Sequence, residues 1–300
     1  MTTLSNVLAF AQTSLIIINN MISVVLTVYA RPDNLDIQLE HIKKQSIKSD
    51  EIFIVVDHNP NVQFDYQKYK EYKIVSYSSN MGVWARFSVA LLSKNKYVCI
   101  FDDDTIPGFK WFENCINTLK KVDGLLGTVG VKFNKGALDY NYSDRVGWPN
   151  PNDEIEEVDI VGHSWFFKRD ILEKFWNNTN DHHAFKKSGE DMHFSYIINK
   201  ELGLNTFVPP HPKNNTEFWG SLPEYAQELG SDSNALSLET FSNLRMSNYM
   251  KKIRNDNFLF VSEKKNHENK SKSTTLSNLK FYNNNIIFLI KSIAKKIFKK

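Results

Sequence analysis

The feature that most constrains the fold is an apolar run that ends in three consecutive aspartates. Five apolar residues, Tyr97–Phe101, are followed directly by Asp102-Asp103-Asp104. Because the run does not alternate with polar residues, it predicts a strand buried on both faces of a sheet. Adjacent carboxylates repel one another and offer hard oxygen ligands, which favours a bound Mg²⁺ or Mn²⁺. The alternative is an acidic surface turn or a helix cap.

The segments around this run alternate between strand and helix patterns. Strands are predicted at residues 22–29, 51–56, 73–77 and 97–101, and helices from Pro32, at 83–92 and at 109–121. This alternation predicts a mostly parallel α/β sheet flanked by helices, joined by right-handed crossovers. Ligands of such sheets bind beyond the carboxyl ends of the strands. Residues 29–31, Asp57 and the three aspartates all lie at those predicted ends.

The second half of the chain is less regular. Strands are predicted at residues 127–133, at 156–161 continuing to 167, and at 205–208, with a long loop at 134–155 and a helix at 170–176. A further helical pattern follows Gly189-Glu190-Asp191, which is a second pair of carboxylates at a helix start. Helix N-capping alone also explains such a pair.

The bulk composition is that of an ordinary globular protein. The chain has 300 residues, 41% of them hydrophobic and 24% charged, with a formal net charge of +3. This length suits one large α/β domain with appendages, or two small domains, and the small charge does not favour nucleic-acid binding. Two cysteines without a metal or disulfide pattern fit a reducing compartment. No secretory signal is predicted, and no stretch approaches the about 18 apolar residues of a spanning helix.

The two chain ends differ from the central part. Residues 1–20 are predicted to be an N-terminal extension, and residues 261–280 a polar, disordered linker. Residues 281–300 place isoleucines on one helical face and lysines on the other. A basic amphipathic helix of this kind predicts binding to an anionic membrane surface, and docking on the protein itself or on a partner is the alternative.

Three motifs in order resemble the GT-A glycosyltransferases of family 2. They are residues 26–32 (Leu-Thr-Val-Tyr-Ala-Arg-Pro), Phe101-Asp102-Asp103-Asp104 as the Asp-any-Asp motif, and Gly189-Glu190-Asp191 as the later Glu-Asp motif. The resemblance covers roughly residues 21–212. A secondary similarity, to the exostosin-like transferases of family 64, rests on residues 84–87, 102–105, 160–167 and 190–192.

The resemblance implies a GT-A type Rossmann-like fold and a nucleotide-sugar donor. Residues 21–133 would be the nucleotide-sugar-binding half, and residues 134–260 the acceptor-binding and catalytic half of the same domain. The cofactor implied is Mn²⁺ or Mg²⁺, and a UDP-sugar is the favoured donor. Family 2 enzymes invert the anomeric configuration and exostosin-like enzymes retain it, and inversion is favoured here.

Roles for individual residues follow from this hypothesis. Asp104 and Asp102 are predicted metal ligands, with His211, set between prolines at a strand end, as the third. The predicted donor-binding residues are Tyr29, Arg31, Asp57, Asn80, Arg86, Asp102 and Asp103.

The predicted catalytic and acceptor residues lie in the second half. Asp191 is the predicted general base, paired with Glu190, because a carboxylate facing an acceptor hydroxyl can take up its proton. Trp148, Trp165 and His163 are predicted to bind the acceptor, the tryptophans by stacking on sugar faces.

The predicted activity is sugar transfer to a glycan or lipid-linked acceptor in cell-envelope or surface-polysaccharide synthesis, on the cytoplasmic face of a membrane. The non-enzymatic alternative is an inactive carbohydrate-binding protein of the same fold. A haloacid dehalogenase phosphatase needs Thr or Val two residues after its second aspartate, and Ile106 stands there. A sugar nucleotidyltransferase needs a glycine-rich loop after the first strand, and residues 29–32 contain no glycine.

Overall fold

The computed structural model describes residues 21–139, 142–177, 188–225 and 242–264. The predicted extension at 1–20, the predicted linker from residue 265 onward and the predicted amphipathic helix at 281–300 lie outside the described residues. Within the described ranges, no helix combines the length and the apolarity needed to cross a bilayer.

The first half alternates strands and helices as the sequence predicts. Its strands are β1 (Ile22–Val28), β2 (Glu51–Val56), β3 (Lys73–Ser76) and β4 (Tyr97–Phe101), and its helices are α1 (Asn34–Lys43), α2 (Ala85–Ala90) and α3 (Trp111–Leu119). The predicted bounds of β1 to β4 differ from these by one residue at most.

The second half departs from the predicted pattern in two places. It contains β5 (Gly124–Phe133), β6 (Tyr142–Gly147), β7 (Glu156–Val158), β8 (Ile160–Lys168), α4 (Leu172–Phe175), α5 (Glu190–Leu202), β9 (Asn205–Val208) and α6 (Ser242–Asn255). The strand β6 lies within the predicted loop. The predicted strand from 156 to 167 is two strands, because the chain changes sheet neighbours at Asp159.

The described strands form one mixed sheet in the order β3-β2-β1-β4-β8-β5-β9-β7, with β6 paired to β5. The strands β1 to β4 are parallel, as predicted. The strand β8 runs antiparallel between β4 and β5, so the sheet is parallel only in part. Sequence alternation cannot reveal this insertion, because β8 pairs with a strand about 65 residues earlier in the chain. The architecture is that of a GT-A Rossmann-like fold.

Two hydrophobic cores cover the two faces of the sheet. Val98 and Ile100 of β4 pack in one core, and Cys99 and Phe101 pack in the other. The prediction that β4 is buried on both faces is therefore confirmed. Cys99 and Cys115 are buried free thiols.

The packed body extends a little beyond residue 260, where the linker was predicted to begin. The Asp159 carboxylate accepts hydrogen bonds from the backbone N–H groups of Phe133 and Val261, at 2.6 and 2.7 Å. Burial raises the pKa of Asp159 to about 6, and these two hydrogen bonds counteract part of that increase. Glu263 is buried against Arg254 at 2.6 Å. Residues 261–264 therefore belong to the domain.

Candidate active site

The acidic loop after β4 is held in place through its backbone. Gln38 of α1 donates to the Asp102 carbonyl at 2.7 Å, and Asn34 donates to the Asp103 carbonyl at 2.8 Å. From the other side, the His163 carbonyl accepts from the Asp102 N–H and from the Thr105 hydroxyl, each at 3.0 Å. Because α1 and β8 supply these contacts, the three aspartate side chains project from a fixed backbone.

Arg31 and Asp103, both predicted to bind the donor, bind each other. Arg31 donates to Asp103 at 2.7 Å and lies 3.7 Å from Asp104. Asp103 also accepts from the Ala30 N–H at 3.2 Å. Burial raises the pKa of Asp103, and Arg31 opposes that effect. Asp103 therefore fixes the turn after β1 against the acidic loop, and the Arg31 charge lies beside Asp104.

Arg86 links the two acidic motifs. Its guanidinium is 5% exposed, ion-paired to Asp102, and donates to Glu190 at 2.6 Å. It also lies 4.5 Å from the ring centroid of Trp165. Arg86 was predicted to bind the donor; its guanidinium is occupied by these two carboxylates, and the donor contact stays a prediction. Trp165 is 1% exposed and supports Arg86 from the core, so its predicted contact with the acceptor is wrong.

Three side chains form the group best suited to hold a cation among the described residues. One ligand atom from each of Asp102, Asp104 and His163 lies within 4.8 Å of the others. Two carboxylates with an imidazole suit Mn²⁺ or Mg²⁺, and the oxygen ligands favour hard cations. Burial raises the pKa of Asp102, and the Arg86 charge opposes that rise. The donor set therefore fits the divalent ion that the sequence predicts.

His163 reaches this group because of an irregular backbone. Its φ is 62°, a left-handed conformation that is uncommon for a residue other than glycine. The register between β5 and β8 shifts here, since Gly127 pairs with Trp165 and Val129 pairs with Gly162. Bulges of this kind redirect side chains and occur next to active sites. The predicted acceptor residue His163 is thus a candidate metal ligand, with Nδ1 3.9 Å from Asp104 Oδ1.

His211, the predicted third ligand, lies elsewhere. Its Nδ1–H donates to the Pro209 carbonyl at 2.7 Å, and its Nε2 accepts from the Gly220 N–H at 3.2 Å and lies 3.0 Å from the Thr128 hydroxyl. Burial lowers its pKa to about 4. Both ring nitrogens are used within the core, so the prediction of His211 as a metal ligand is wrong.

Asp191 stands at the first turn of α5, next to Glu190, which binds Arg86. Gly189 adopts a left-handed φ of 84° and starts the helix, and Asp191 Oδ1 accepts from the Met192 N–H at 2.6 Å. The other oxygen faces Gly162, where a β-carbon would lie 4.0 Å from Oδ2. Burial, followed by repulsion from Glu190, raises the pKa of Asp191 to about 7. A half-buried carboxylate with this pKa is suited to accept a proton near neutral pH.

Three predicted donor residues come together beside a cavity of about 170 Å³ at the ends of β1 and β2. Asp57 accepts from the Met81 and Gly82 N–H groups at 2.8 and 3.0 Å, and Asn80 donates to the Tyr29 hydroxyl at 2.9 Å. The cavity is lined by Val28, Val56, Asp57, His58, Asn59, Val62, Phe64, Tyr66 and Tyr77. Its aromatic and amide groups suit a planar heterocycle, so the Asp57 region is the candidate nucleobase end of the site.

Trp148 and Arg145 lie against His163. The Trp148 ring centroid is 5.6 Å from that of His163, and the Arg145 guanidinium lies 5.4 Å from the Trp148 centroid. Trp148 is thus at the site, as predicted, whereas the sequence assigned no role to Arg145. The available signal was local: Gly162-His163-Ser164 interrupts an apolar strand, and such an interruption marks a possible functional residue.

A GT-A fold that carries an acidic motif after β4 and a second one at the start of α5 is the architecture of a glycosyltransferase. The sequence profile described as "Glycosyl transferase family 2" matches residues 23–176, and the chain belongs to this family. Membership decides against the phosphatase and nucleotidyltransferase alternatives, while the exostosin-like similarity stays a prediction.

Two solved structures illustrate what this chain is similar to. S. aureus TarS 1–349 in complex with UDP-GlcNAc is 15% identical, with a TM-score of 0.43, over 63% of this chain and 56% of that one. Mannosyltransferase PcManGT from Pyrobaculum calidifontis, in complex with GDP-Man and Mn²⁺, is 16% identical, with a TM-score of 0.43. The alignment covers 78% of this chain and 72% of that one. The alignments span 35% to 58% of the TarS chains. No curated protein sequence matches significantly.

We expect Arg86→Met to lower the free energy of unfolding by about 3–5 kcal/mol, because Asp102 and Glu190 then lack their shared counter-charge. Adding Glu190→Gln should restore part of that loss, since it removes one of the two charges. Urea denaturation followed by circular dichroism measures both effects. The control is Lys44→Met, which removes an exposed ion pair with Glu40 and should cost less than about 1 kcal/mol. Equal losses for Arg86→Met and Lys44→Met would contradict the bridging role of Arg86.

Proposed function

We propose that this glycosyltransferase moves a sugar from a nucleotide-sugar donor, with a UDP-sugar favoured, to a hydroxyl group of a glycan or glycolipid acceptor. The observation that carries the proposal is that two carboxylate groups lie on either side of Arg86, which ion-pairs with Asp102 and with Glu190. Asp102 and Asp104 stand with His163 on one side. Asp191 stands on the other, beside Gly162. Two such groups serve two different tasks, the stabilisation of the leaving group and the activation of the acceptor.

The first task belongs to the group of Asp102, Asp104 and His163, which would hold Mn²⁺ or Mg²⁺. That ion, when bound, neutralises charge that develops on the leaving diphosphate. Arg31 adds a fixed positive charge 3.7 Å from Asp104. Its position is maintained by Asp103, which accepts from Arg31 at 2.7 Å. The predicted donor residues Arg31 and Asp103 therefore act as a pair, in which Asp103 positions the arginine.

The second task belongs to Asp191. Its carboxylate takes the proton from the acceptor hydroxyl, the hydroxyl oxygen bonds to the anomeric carbon, and the bond from that carbon to the diphosphate breaks. Glu190 serves Asp191 indirectly, because its negative charge helps to raise the pKa of Asp191. Attack from the side of Asp191, opposite the leaving group, inverts the anomeric configuration. Inversion is also what membership of family 2 leads us to expect.

The direct test is a panel of UDP- and GDP-sugars incubated with the protein and Mn²⁺, with release of the nucleotide as the readout. We expect one donor to be hydrolysed or transferred, and Asp104→Ala to lower that rate about 100-fold or more because a metal ligand is lost. The control, Asp123→Ala, alters an exposed aspartate that pairs with Lys168 rather than with any residue of the candidate site, and it should keep the rate. No turnover together with no UDP or GDP binding would overturn the proposal. Nucleotide binding without turnover would favour the inactive carbohydrate-binding protein, and NMR of the product anomer tests inversion.

The pH dependence tests the role of Asp191. The pKa of Asp191 is raised to about 7, and the base works only when ionised. The kcat/KM for transfer should therefore be constant above this pH and fall about tenfold per pH unit below it. In Asp191→Asn we expect transfer to be lost and the Mn²⁺-dependent affinity for UDP to be kept. If kcat/KM of the Asp191→Asn variant still fell below this pH as in the wild-type protein, Asp191 would not be the base.

We also propose that the enzyme works at the cytoplasmic face of a membrane, on a cell-envelope or surface polysaccharide. Support comes from the sequence of residues 281–300, where lysines face one side of the predicted helix and isoleucines the other. Deleting residues 281–300 should abolish sedimentation with anionic vesicles and leave turnover in solution unchanged. Vesicles of neutral phosphatidylcholine serve as the control. Sedimentation that persists after the deletion would contradict this placement.

A further inference from the structure

Arg145 differs from the other arginines whose side chains the structure describes. Arg31 and Arg86 bind carboxylates of the site, Arg254 binds Glu263, and Arg169 donates to backbone carbonyls at 2.6 and 3.2 Å. Arg145 has no oxygen partner among the described residues. Among the described residues, the one hydrogen-bond contact of its side chain is Nη2 to His163 Nε2 at 3.5 Å, and its Nε, like those of Arg86 and Arg254, is buried without a partner. A half-buried guanidinium without an acceptor is a binding group that lacks its ligand.

Trp148 adds a second unsatisfied donor at the same place. The Arg145 guanidinium lies 5.4 Å from the indole centroid, which supports the positive charge through a cation–π contact. The Trp148 Nε1–H is buried and has no partner in the part of the chain that the structure describes. Guanidinium and indole N–H groups only donate, so neither can satisfy the other. An oxygen that carries negative charge is the partner that both groups need.

His163 supplies a third donor under the conditions of catalysis. Its Nδ1 faces Asp104 at 3.9 Å, and its Nε2 faces Arg145. When the Nδ1 lone pair points into the cation site, the ring proton lies on Nε2. Nε2–H and Arg145 are then two donors 3.5 Å apart, and an anionic oxygen between them can accept from both.

The position of this cluster identifies which substrate carries the anion. The cation group and Arg31 lie on the Asp104 side of His163, which is the diphosphate side. Arg145 and Trp148 contact His163 away from Asp104. Gly162, the neighbour of His163, borders Asp191, the proposed base. We propose that Arg145 and Trp148 bind an anionic group, a phosphate or a carboxylate, on the acceptor close to its reacting hydroxyl. This inference rests on the proposed function.

The test compares acidic and neutral sugars of the same shape. Binding of methyl glucoside, methyl glucuronide and methyl glucoside 6-phosphate is measured by ligand-observed NMR, with and without UDP and Mn²⁺. We expect the wild-type protein to bind at least one acidic sugar about 10-fold or more tightly than the neutral one. Arg145→Gln should remove that preference and change the affinity for UDP with Mn²⁺ less than twofold. Arg145→Lys should keep part of the preference, because it keeps the charge but loses the planar fork.

The matched control is Lys135→Gln, which removes the same charge at an exposed position of the neighbouring loop and should keep the preference. Equal binding of acidic and neutral sugars by the wild-type protein would overturn the inference, whether or not the variants fold. A preference that survives in a folded Arg145→Gln protein would also overturn it. A more than 10-fold loss of UDP affinity in Arg145→Gln would assign the anion to the donor instead. Failure of the proposed function shows separately, as absent nucleotide-sugar turnover and absent UDP binding.

Discussion

The site depends on one buried guanidinium, that of Arg86. Its ion pairs with Asp102 and Glu190 join the loop after β4 to the start of α5. The two carboxylates lie 88 residues apart in the chain. Trp165 supports the guanidinium from the core at 4.5 Å. A buried carboxylate that loses its counter-charge is costly, so both acidic motifs are held against Arg86. The distance between the cation group and the proposed base is thereby fixed.

The antiparallel strand β8 supplies most of the remaining geometry. Inserted between β4 and β5, it brings Gly162 and His163 to the acidic edge. The left-handed backbone at His163 turns its imidazole towards Asp104, and its carbonyl caps the Asp102 loop at 3.0 Å. Gly162 lies beside Asp191, and a β-carbon there would be 4.0 Å from Asp191 Oδ2. The irregular backbone of β8 at Gly162 and His163 therefore helps to position the cation group, the proposed base Asp191 and the residues proposed to bind the acceptor.

Sequence patterns located the helices, the strands and the sheet edge at which the acidic residues lie. They did not show which residues contact one another across the domain. The buried strand β4, its aspartates and the glycine before Glu190 are local features, and each lies where it was predicted. The predictions for His211 and Trp165 failed because each depended on a neighbour distant in the chain, and the bridging role of Arg86 was not foreseen for the same reason. His211 is held by Thr128 and Gly220, and Trp165 by the core around Arg86. Residue type and spacing contain no information about such contacts until the strand order is known.

The sequence by itself determined the strand that ends in carboxylates, the alternation that makes the first half parallel, and the acidic pair at a helix start. These depend on interactions between near neighbours, such as hydrophobic periodicity and the need of adjacent carboxylates for a counter-charge. Only the tertiary structure decided that His163 lies with Asp102 and Asp104, and that Arg86 joins the two motifs. It also decided that the Arg145 side chain and the Trp148 Nε1–H find no oxygen acceptor among the described residues. Those outcomes follow from the position of β8 in the sheet and from the backbone conformation at one residue. Both are set by packing across the whole domain.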